Sequence, residues 1–332
     1  MGRSFLVSLT AGLWLTTPLG AQTSFDWLND AVHPRGMALA HATVAAADPA
    51  EALSLNPAGL RRPSPASGPT RAFQLSLCRY PAGISQLMSQ IILPVPQGLR
   101  GAGGQVVGIE IRRFNYGTFH GYDDDGQRQD DYTAADILVR GGMMRRAGRH
   151  LAVGVAAGVL SSRLEEATAV AILLSLGVQL EVAPLDARLG AVVQNQGRFT
   201  TPFGSAQPDH LPATWLVGLA KSLAHLPLTL YISAGRNMAT GQPIWRLGGE
   251  FRLPLRLALR LGVDQGKMDY RRGSPYADLF SGFSLGLGTQ TEGPDAAPGG
   301  DLKRPTVFTL DSAVKFLGPL GFSSSIALGL RF

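Results

Sequence analysis

Gly282-Phe283-Ser284-Leu285-Gly286 matches G-x-S-x-G, the pattern that lifts a nucleophilic serine on a sharp strand-to-helix turn. The chemistry needs that turn. Here Phe283, Leu285 and Leu287 alternate with Ser284, Gly286 and Gly288, so the run reads as a continuous strand with the serine and glycines on one face. Asp123-Asp124-Asp125-Gly126, followed by Asp130 and Asp131, offers oxygen ligands to a cation but lacks the spacing of a calcium loop. It reads as a solvated turn. The histidines at 33, 41, 120, 150, 210 and 225 form no H-E-x-x-H or related spacing. Gly98 to Gly104 lacks the phosphate-loop register and reads as a turn. The single cysteine, Cys78, closes no internal disulfide. These residues predict no catalytic centre, no cofactor and no metal site.

The elements that carry these residues explain them better. Ile326, Leu328, Leu330 and Phe332 alternate with Ser325, Ala327, Gly329 and Arg331 at the end of the chain. A strand greasy on one face and small or polar on the other suits a transmembrane barrel wall, with lipid outside and a polar lumen inside. Leu255, Leu257, Leu259, Leu261 and Val263 alternate with Arg256, Ala258, Arg260, Gly262 and Asp264. Trp245, Leu247, Gly249, Phe251 and Leu253 alternate with Arg246, Gly248, Glu250 and Arg252. Unpaired charges cannot face a dry core, so Arg246, Glu250, Arg252, Arg256 and Arg260 are read as lumen-facing.

The same period marks strands at 71–78, 87–94, 104–114, 133–145, 150–160, 167–182, 187–195, 213–223, 228–234, 244–253, 256–265, 278–290, 305–316 and 321–332. The spacing predicts an all-β, antiparallel transmembrane barrel of about 14 strands, many near the ~9–11 residues a tilted spanning strand needs. With the C-terminus in the periplasm, the connections 146–149, 183–186, 224–227 and 254–255 are periplasmic and short. Those at 115–132, 196–212 and 266–277 are external and long, the asymmetry of outer-membrane barrels. The end of the chain breaks the rule, with 291–304 long and periplasmic and 317–320 short and external.

The other terminus reads as an export signal. Met1-Gly2-Arg3 precedes an apolar run from Phe5 to Leu15, and Ala21 offers a cleavage point, so residues 1–21 read as a secretory signal peptide. Residues 22–70 do not alternate and form a plug, or hatch, ahead of a barrel at 71–332. Asp48, Pro49 and Glu51 have the spacing of a helix start, which predicts one short helix. That helix ends at the turn Asn56-Pro57-Ala58-Gly59, with a linker at 61–70. Charged residues are only 16% of the chain and glycines number 41, in keeping with a wall in lipid. The net charge of +6 would suit nucleic acid, but the export signal argues for no nucleic-acid partner.

Several motifs resemble a known family. Gly36-Met37-Ala38-Leu39-Ala40, Val44 to Leu53 and Asn56-Pro57-Ala58-Gly59-Leu60 resemble the N-terminal segment of PorV/PorQ-type proteins. These are similar in turn to the long-chain fatty-acid transporter barrels, FadL-like proteins with an Asn-Pro-Ala turn in the hatch. Tyr116-Gly117-Thr118-Phe119, Tyr132 to Asp136, Ser161 to Glu165, Val217 to Pro227 and Gly248-Gly249-Glu250-Phe251 extend the likeness toward the family's PorQ branch. The chain departs from the family at 173–177, where an acid usual in that strand is absent.

The resemblance implies a bacterial outer-membrane protein that catalyses nothing and scaffolds cargo attachment in type IX secretion. Its implied partners are PorU, PorV and PorZ-type attachment proteins, outer-membrane lipid and also lipopolysaccharide. It marks Phe332 as the assembly signal. The rival reading is a FadL-like diffusion channel for hydrophobic compounds. A continuous apolar tunnel past the hatch favours the channel, and a lumen closed by Arg246, Glu250, Arg252, Arg256 and Arg260 favours the scaffold. A soluble or lipid-anchored β-sandwich is a weaker third reading, since Cys78 is far from the signal and the strands are too many.

Overall fold

Alternating side chains become a wall that has no free edge. The computed structural model describes residues 24–60, 71–95, 105–123, 125–165, 167–203, 210–266, 279–292 and 307–332. The strands are β1 (Ala72–Arg79), β2 (Ser85–Pro94), β3 (Val106–Phe119), β4 (Tyr132–Arg146), β5 (Leu151–Leu164), β6 (Ala167–Val182) and β7 (Ala187–Thr201). They continue as β8 (Thr214–Ser222), β9 (Leu228–Asn237), β10 (Pro243–Leu253), β11 (Leu257–Asp264), β12 (Phe283–Glu292), β13 (Val307–Phe316) and β14 (Phe322–Arg331). Each pairs antiparallel with its chain neighbours, and β1 pairs with β14 to close the barrel. Lipid cannot satisfy a strand edge, so closure is what makes the wall viable. No described helix is long and apolar enough to cross a membrane.

The seam shows the two faces. Phe73, Leu75 and Leu77 pair with Leu330, Leu328 and Ile326, and all six turn outward. Ile109, Ile137, Ile172, Leu261 and Leu285 continue the exposed apolar belt on other strands. The inward partners, Gln74 with Gly329, Ser76 with Ala327 and Cys78 with Ser325, are small or polar.

The fourteen-strand count holds through the stretch where the loop rule broke. The short connection between Phe316 and Phe322 lies opposite the C-terminal end, while the long connection expected at 291–304 falls mostly outside the described residues. The signal peptide expected at 1–21 and the linker expected at 61–70 also lie outside them.

Several ends differ from expectation. β3 runs to Phe119, β5 to Leu164 and β7 to Thr201. These extensions pair with neighbours beyond the apolar belt, for example Thr118 with Thr133, where both faces can be polar and alternation stops signalling a strand. β11 starts at Leu257, which removes Arg256 from the wall. Leu257 N donates to Pro254 O at 3.4 Å, and Leu255 and Arg256 have φ of 61° and 60°. That is a primed hairpin turn, which matches strand twist but normally takes Asn or Gly.

Residues 24–60 thread the lumen. They contain the helix α1 (Pro34–Ala38) and 3₁₀ turns at Asp26–Asn29, Val44–Ala46 and Pro57–Gly59. Pro34 occupies the first turn of α1, and the His33 side chain caps it by accepting from Arg35 N at 3.2 Å. The expected helix from Asp48 does not form. Its capping contacts do: Asp48 Oδ1 accepts from Ala50 N at 3.1 Å and Glu51 Oε1 from Asp48 N at 3.2 Å. They close consecutive turns only. Pro57 holds Asn56 extended, with φ −145°, and so short a run cannot recover the cost of helix nucleation.

The wall makes room for this segment with glycines. Gly108 pairs with Gly142, Gly154 with Gly177, Gly190 with Gly218 and Gly248 with Gly262. A β-carbon at Gly154 would overlap the Pro57 backbone, and one at Gly177 would overlap Asn56 Oδ1. At Gly190 it would stand 2.5 Å from Ala45 Cα, and at Gly262 2.5 Å from Ala40 N. The plug backbone therefore lies directly on the wall backbone.

Candidate functional site

The turn Asn56-Pro57-Ala58-Gly59 ends no helix; it anchors the plug to the wall. Asn56 is fully buried. Its Oδ1 accepts from Ala58 N at 3.1 Å, and its Nδ2 donates to Val44 O at 2.8 Å and to Val178 O on β6 at 3.2 Å. One side chain thus folds the turn, ties it to an earlier part of the plug and docks both on the wall. Pro57 supplies the fixed φ of a first turn position. Ala58 and Gly59 are small enough to be fully enclosed.

Charged spokes hold α1. Arg35 Nε donates to Glu250 Oε2 at 3.0 Å, its Nη1 to Glu51 Oε1 at 2.5 Å and its Nη2 to the Tyr231 hydroxyl at 3.1 Å. Arg260 Nε donates to the same Glu250 oxygen at 2.9 Å, and its Nη1 to Asp311 Oδ1 at 2.5 Å. This chain of charges crosses from plug to wall and along three strands. Nearer the opposite mouth, Asp264 Oδ2 lies 3.5 Å from both Arg246 Nε and Lys315 Nζ, and Lys315 is 3.8 Å from Asp30 of the plug.

The five charges read as lumen-facing therefore separate into three situations. Arg246, Glu250 and Arg260 point inward and sit in buried ion pairs. Arg252 faces inward but is exposed at the periplasmic end of β10. Arg256 is in the β10–β11 turn and not on a strand face. Arg260 pairs with inward acids on two strands, so its loss would take a cation from both Glu250 and Asp311.

A second set of contacts was not anticipated. Trp27 Nε1 donates to Asp136 Oδ2 at 2.8 Å, and the Tyr116 hydroxyl donates to the same oxygen at 2.7 Å. Ser162 donates to the other carboxylate oxygen. Arg112 lies 5.0 Å above the Trp27 ring and donates to Trp27 O at 3.2 Å and Asp30 O at 3.1 Å. Arg140 donates to Leu53 O at 2.7 Å and to Asn195 Oδ1 at 2.8 Å. Asn195 sits where the β6–β7 register shifts, with φ 56°, and the bulge turns it inward beside Gln194. The signal for this set was present. Glu110, Arg112, Asp136 and Arg140 stand at inward positions of β3 and β4 by the same alternation that marked 246–260.

The motifs with chemical potential stay apart. Ser284 is buried on β12 with its hydroxyl unpartnered, and no strand-to-helix elbow forms there. No group of three or more described ligating side chains is placed for a metal ion. In the external β3–β4 loop, His120 Nδ1 lies 2.8 Å from Asp131 Oδ1 and Arg128 Nη2 lies 3.4 Å from the same oxygen. Their hydrogen bonds hold the Asp131 carboxyl below its usual range. Asp124 of the acidic run lies outside the described residues. Phe332, expected to be the assembly signal, ends the seam and exchanges two 3.0 Å backbone hydrogen bonds with Arg71.

Two cavities flank α1 and share no lining residue. One, of about 160 Å³, is lined by Asn29, His41, Arg246, Asp264 and Lys315 among others. The other, of about 650 Å³, opens at the periplasmic mouth beside Arg252 and Arg256. The wall and plug chemistry can seat a segment and bind polar groups, with no nucleophile–base pair in evidence among these described residues.

No family model matches the chain, and no curated protein matches it, so the type IX resemblance stands on the motifs alone. Among solved structures, the Ralstonia pickettii toluene transporter TbuX is similar with a TM-score of 0.52 at 13% identity, covering 85% of this chain and 94% of TbuX. The P. putida toluene transporter TodX gives 0.51 at 11% identity, covering 85% and 94%. The CymD monoaromatic hydrocarbon channel gives 0.50 at 12% identity, covering 91% and 97%. At such identities the likeness is one of fold, and these neighbours are transporters or channels, not enzymes. The chain folds as a closed fourteen-strand antiparallel barrel like that of these transporters, a fold of the bacterial outer membrane.

Proposed function

We propose that this barrel works as a plugged, non-catalytic scaffold at the outer membrane, and that it serves cargo attachment in type IX secretion. The observation that carries the reading is the ionic lock between α1 and the wall, in which Arg35, Glu51, Glu250, Arg260 and Asp311 fill the lumen with paired charge. An apolar solute passing there would have to separate these pairs in a confined space, and separated buried charge is costly. A rigid wall with long external connections suits docking, because loops on a fixed scaffold commonly carry binding. The type IX assignment rests on the motif resemblance, with PorU, PorV and PorZ-type proteins as proposed partners.

A second reading has its own support. The solved structures of similar fold are a toluene transporter, a second toluene transporter and a monoaromatic hydrocarbon channel, and they lean toward a FadL-like diffusion channel for hydrophobic compounds. In that reading the plug moves to open a path. A deletion strain assayed for both surface attachment of cargo and uptake of a labelled hydrophobic compound separates the two. Detached cargo with normal uptake supports the scaffold. Intact attachment with lost uptake transfers the case to the channel.

A further inference from the structure

A cavity at the periplasmic mouth of the barrel is bordered by an excess of positive charge. Its volume of about 650 Å³ lies within the range of small-molecule sites. Arg35, Arg188, Arg252, Arg256, Arg260 and Arg331 line it, against the acids Asp48, Glu250 and Asp311.

The acids are engaged from the deep side. Glu250 takes both Arg35 and Arg260, and Asp311 takes Arg260. Asp48 lies 3.9 Å from Arg331, and Arg188 reaches Glu181 at 3.9 Å across an exposed edge. Arg252 has no carboxylate within ion-pair distance among the described residues, and it is exposed toward the mouth. Arg256 joins the lining only because the β10–β11 turn adopts left-handed backbone at two bulky residues. Gln74, Tyr231, Thr289 and Thr309 add neutral polar groups to the lining. A concave site of one prevailing sign between low-dielectric walls concentrates counter-ions. Guanidinium groups also suit carboxylate and phosphate geometry.

We infer that the periplasmic mouth is an anion-binding site that takes a small carboxylate- or phosphate-bearing ligand from the periplasm, with Arg252 and Arg256 as its outer contacts. The inference holds whether the barrel scaffolds or conducts, because its outer contacts, Arg252 and Arg256, are not members of the ionic lock that lines the deep side of the cavity. The test is calorimetric titration of the purified full chain in neutral detergent with citrate, with pyrophosphate and with uncharged glycerol. Citrate, pyrophosphate or both should bind, glycerol should not, and the stronger of the two anions identifies the group preferred. R252Q and R256Q should each weaken binding at least fivefold and the double variant at least twentyfold. R145Q, an outward arginine at the same end of β4, should change it less than twofold. The heat-dependent gel shift checks that each variant is a folded barrel. Absence of anion binding by the wild-type chain, or equal binding by wild type and the folded double variant, overturns the site.

Discussion

Arg35→Met tests whether the plug is held by charge. Arg35 is 11% exposed and its partner Glu51 1% exposed, so removing the guanidinium leaves a buried carboxylate without its cation. Breaking a buried pair from one side costs about 3–5 kcal/mol. Glu51 keeps the hydroxyl of Thr43 at 2.9 Å and the amide of Asp48 at 3.2 Å, and Glu250 keeps Arg260, which argues for about 3 kcal/mol. At about 1.4 kcal/mol per tenfold, local opening of the plug should become about a hundredfold more frequent. Amide hydrogen exchange reads this directly. The reporters are Leu39 N, bonded to Arg35 O at 3.1 Å, and Leu55 N, bonded to Glu51 O at 2.9 Å. The wall amides of β10 and β11 serve as internal controls and should be unaffected. Arg35→Met with Glu51→Gln should recover much of the protection, since no unpaired buried carboxylate remains at Glu51. Protection of Leu39 and Leu55 within threefold of wild type in the single variant would refute an ionic lock.

Four further variants test the same geometry. Leu259→Arg should cost about 2–4 kcal/mol near the midplane, and Arg260→Leu should cost about 3 kcal/mol because it removes the cation paired with Asp311 and leaves Glu250 with Arg35 alone; denaturation of the refolded barrel measures both, and an unaffected Arg260→Leu would show that the pairs are not coupled. Gly177→Ala should unseat the Asn56 turn, seen as faster exchange at Ala58 N with the barrel heat shift retained; unchanged exchange would mean that the wall yields instead. Leu255→Asn should stabilise the barrel by about 1 kcal/mol, because Asn tolerates the left-handed region that Leu occupies at a cost, and a lower denaturation midpoint would show that the Leu255 side chain has a packing role.

The barrel was legible in the chain because strand periodicity is a local property. Lipid outside and a polar lumen inside impose the same two-residue alternation on strand after strand, and the Leu257–Val263 and Ile326–Phe332 runs carry it without knowledge of their neighbours. Antiparallel hairpins then leave closure as the way to remove the last edge. Three things needed tertiary structure. Arg256 has the right parity for the lumen, yet hairpin geometry moves it into a turn. The capping spacing at Asp48–Glu51 predicts a helix, but Glu51 is also bound by Arg35 and Thr43 and Asn56 is held extended before Pro57. The plug contacts join residues more than a hundred positions apart, as in Trp27 with Asp136 and Arg35 with Glu250. A buried charge announces by its type that it needs a partner; which partner it finds depends on how the closed wall brings distant strands around the threaded segment.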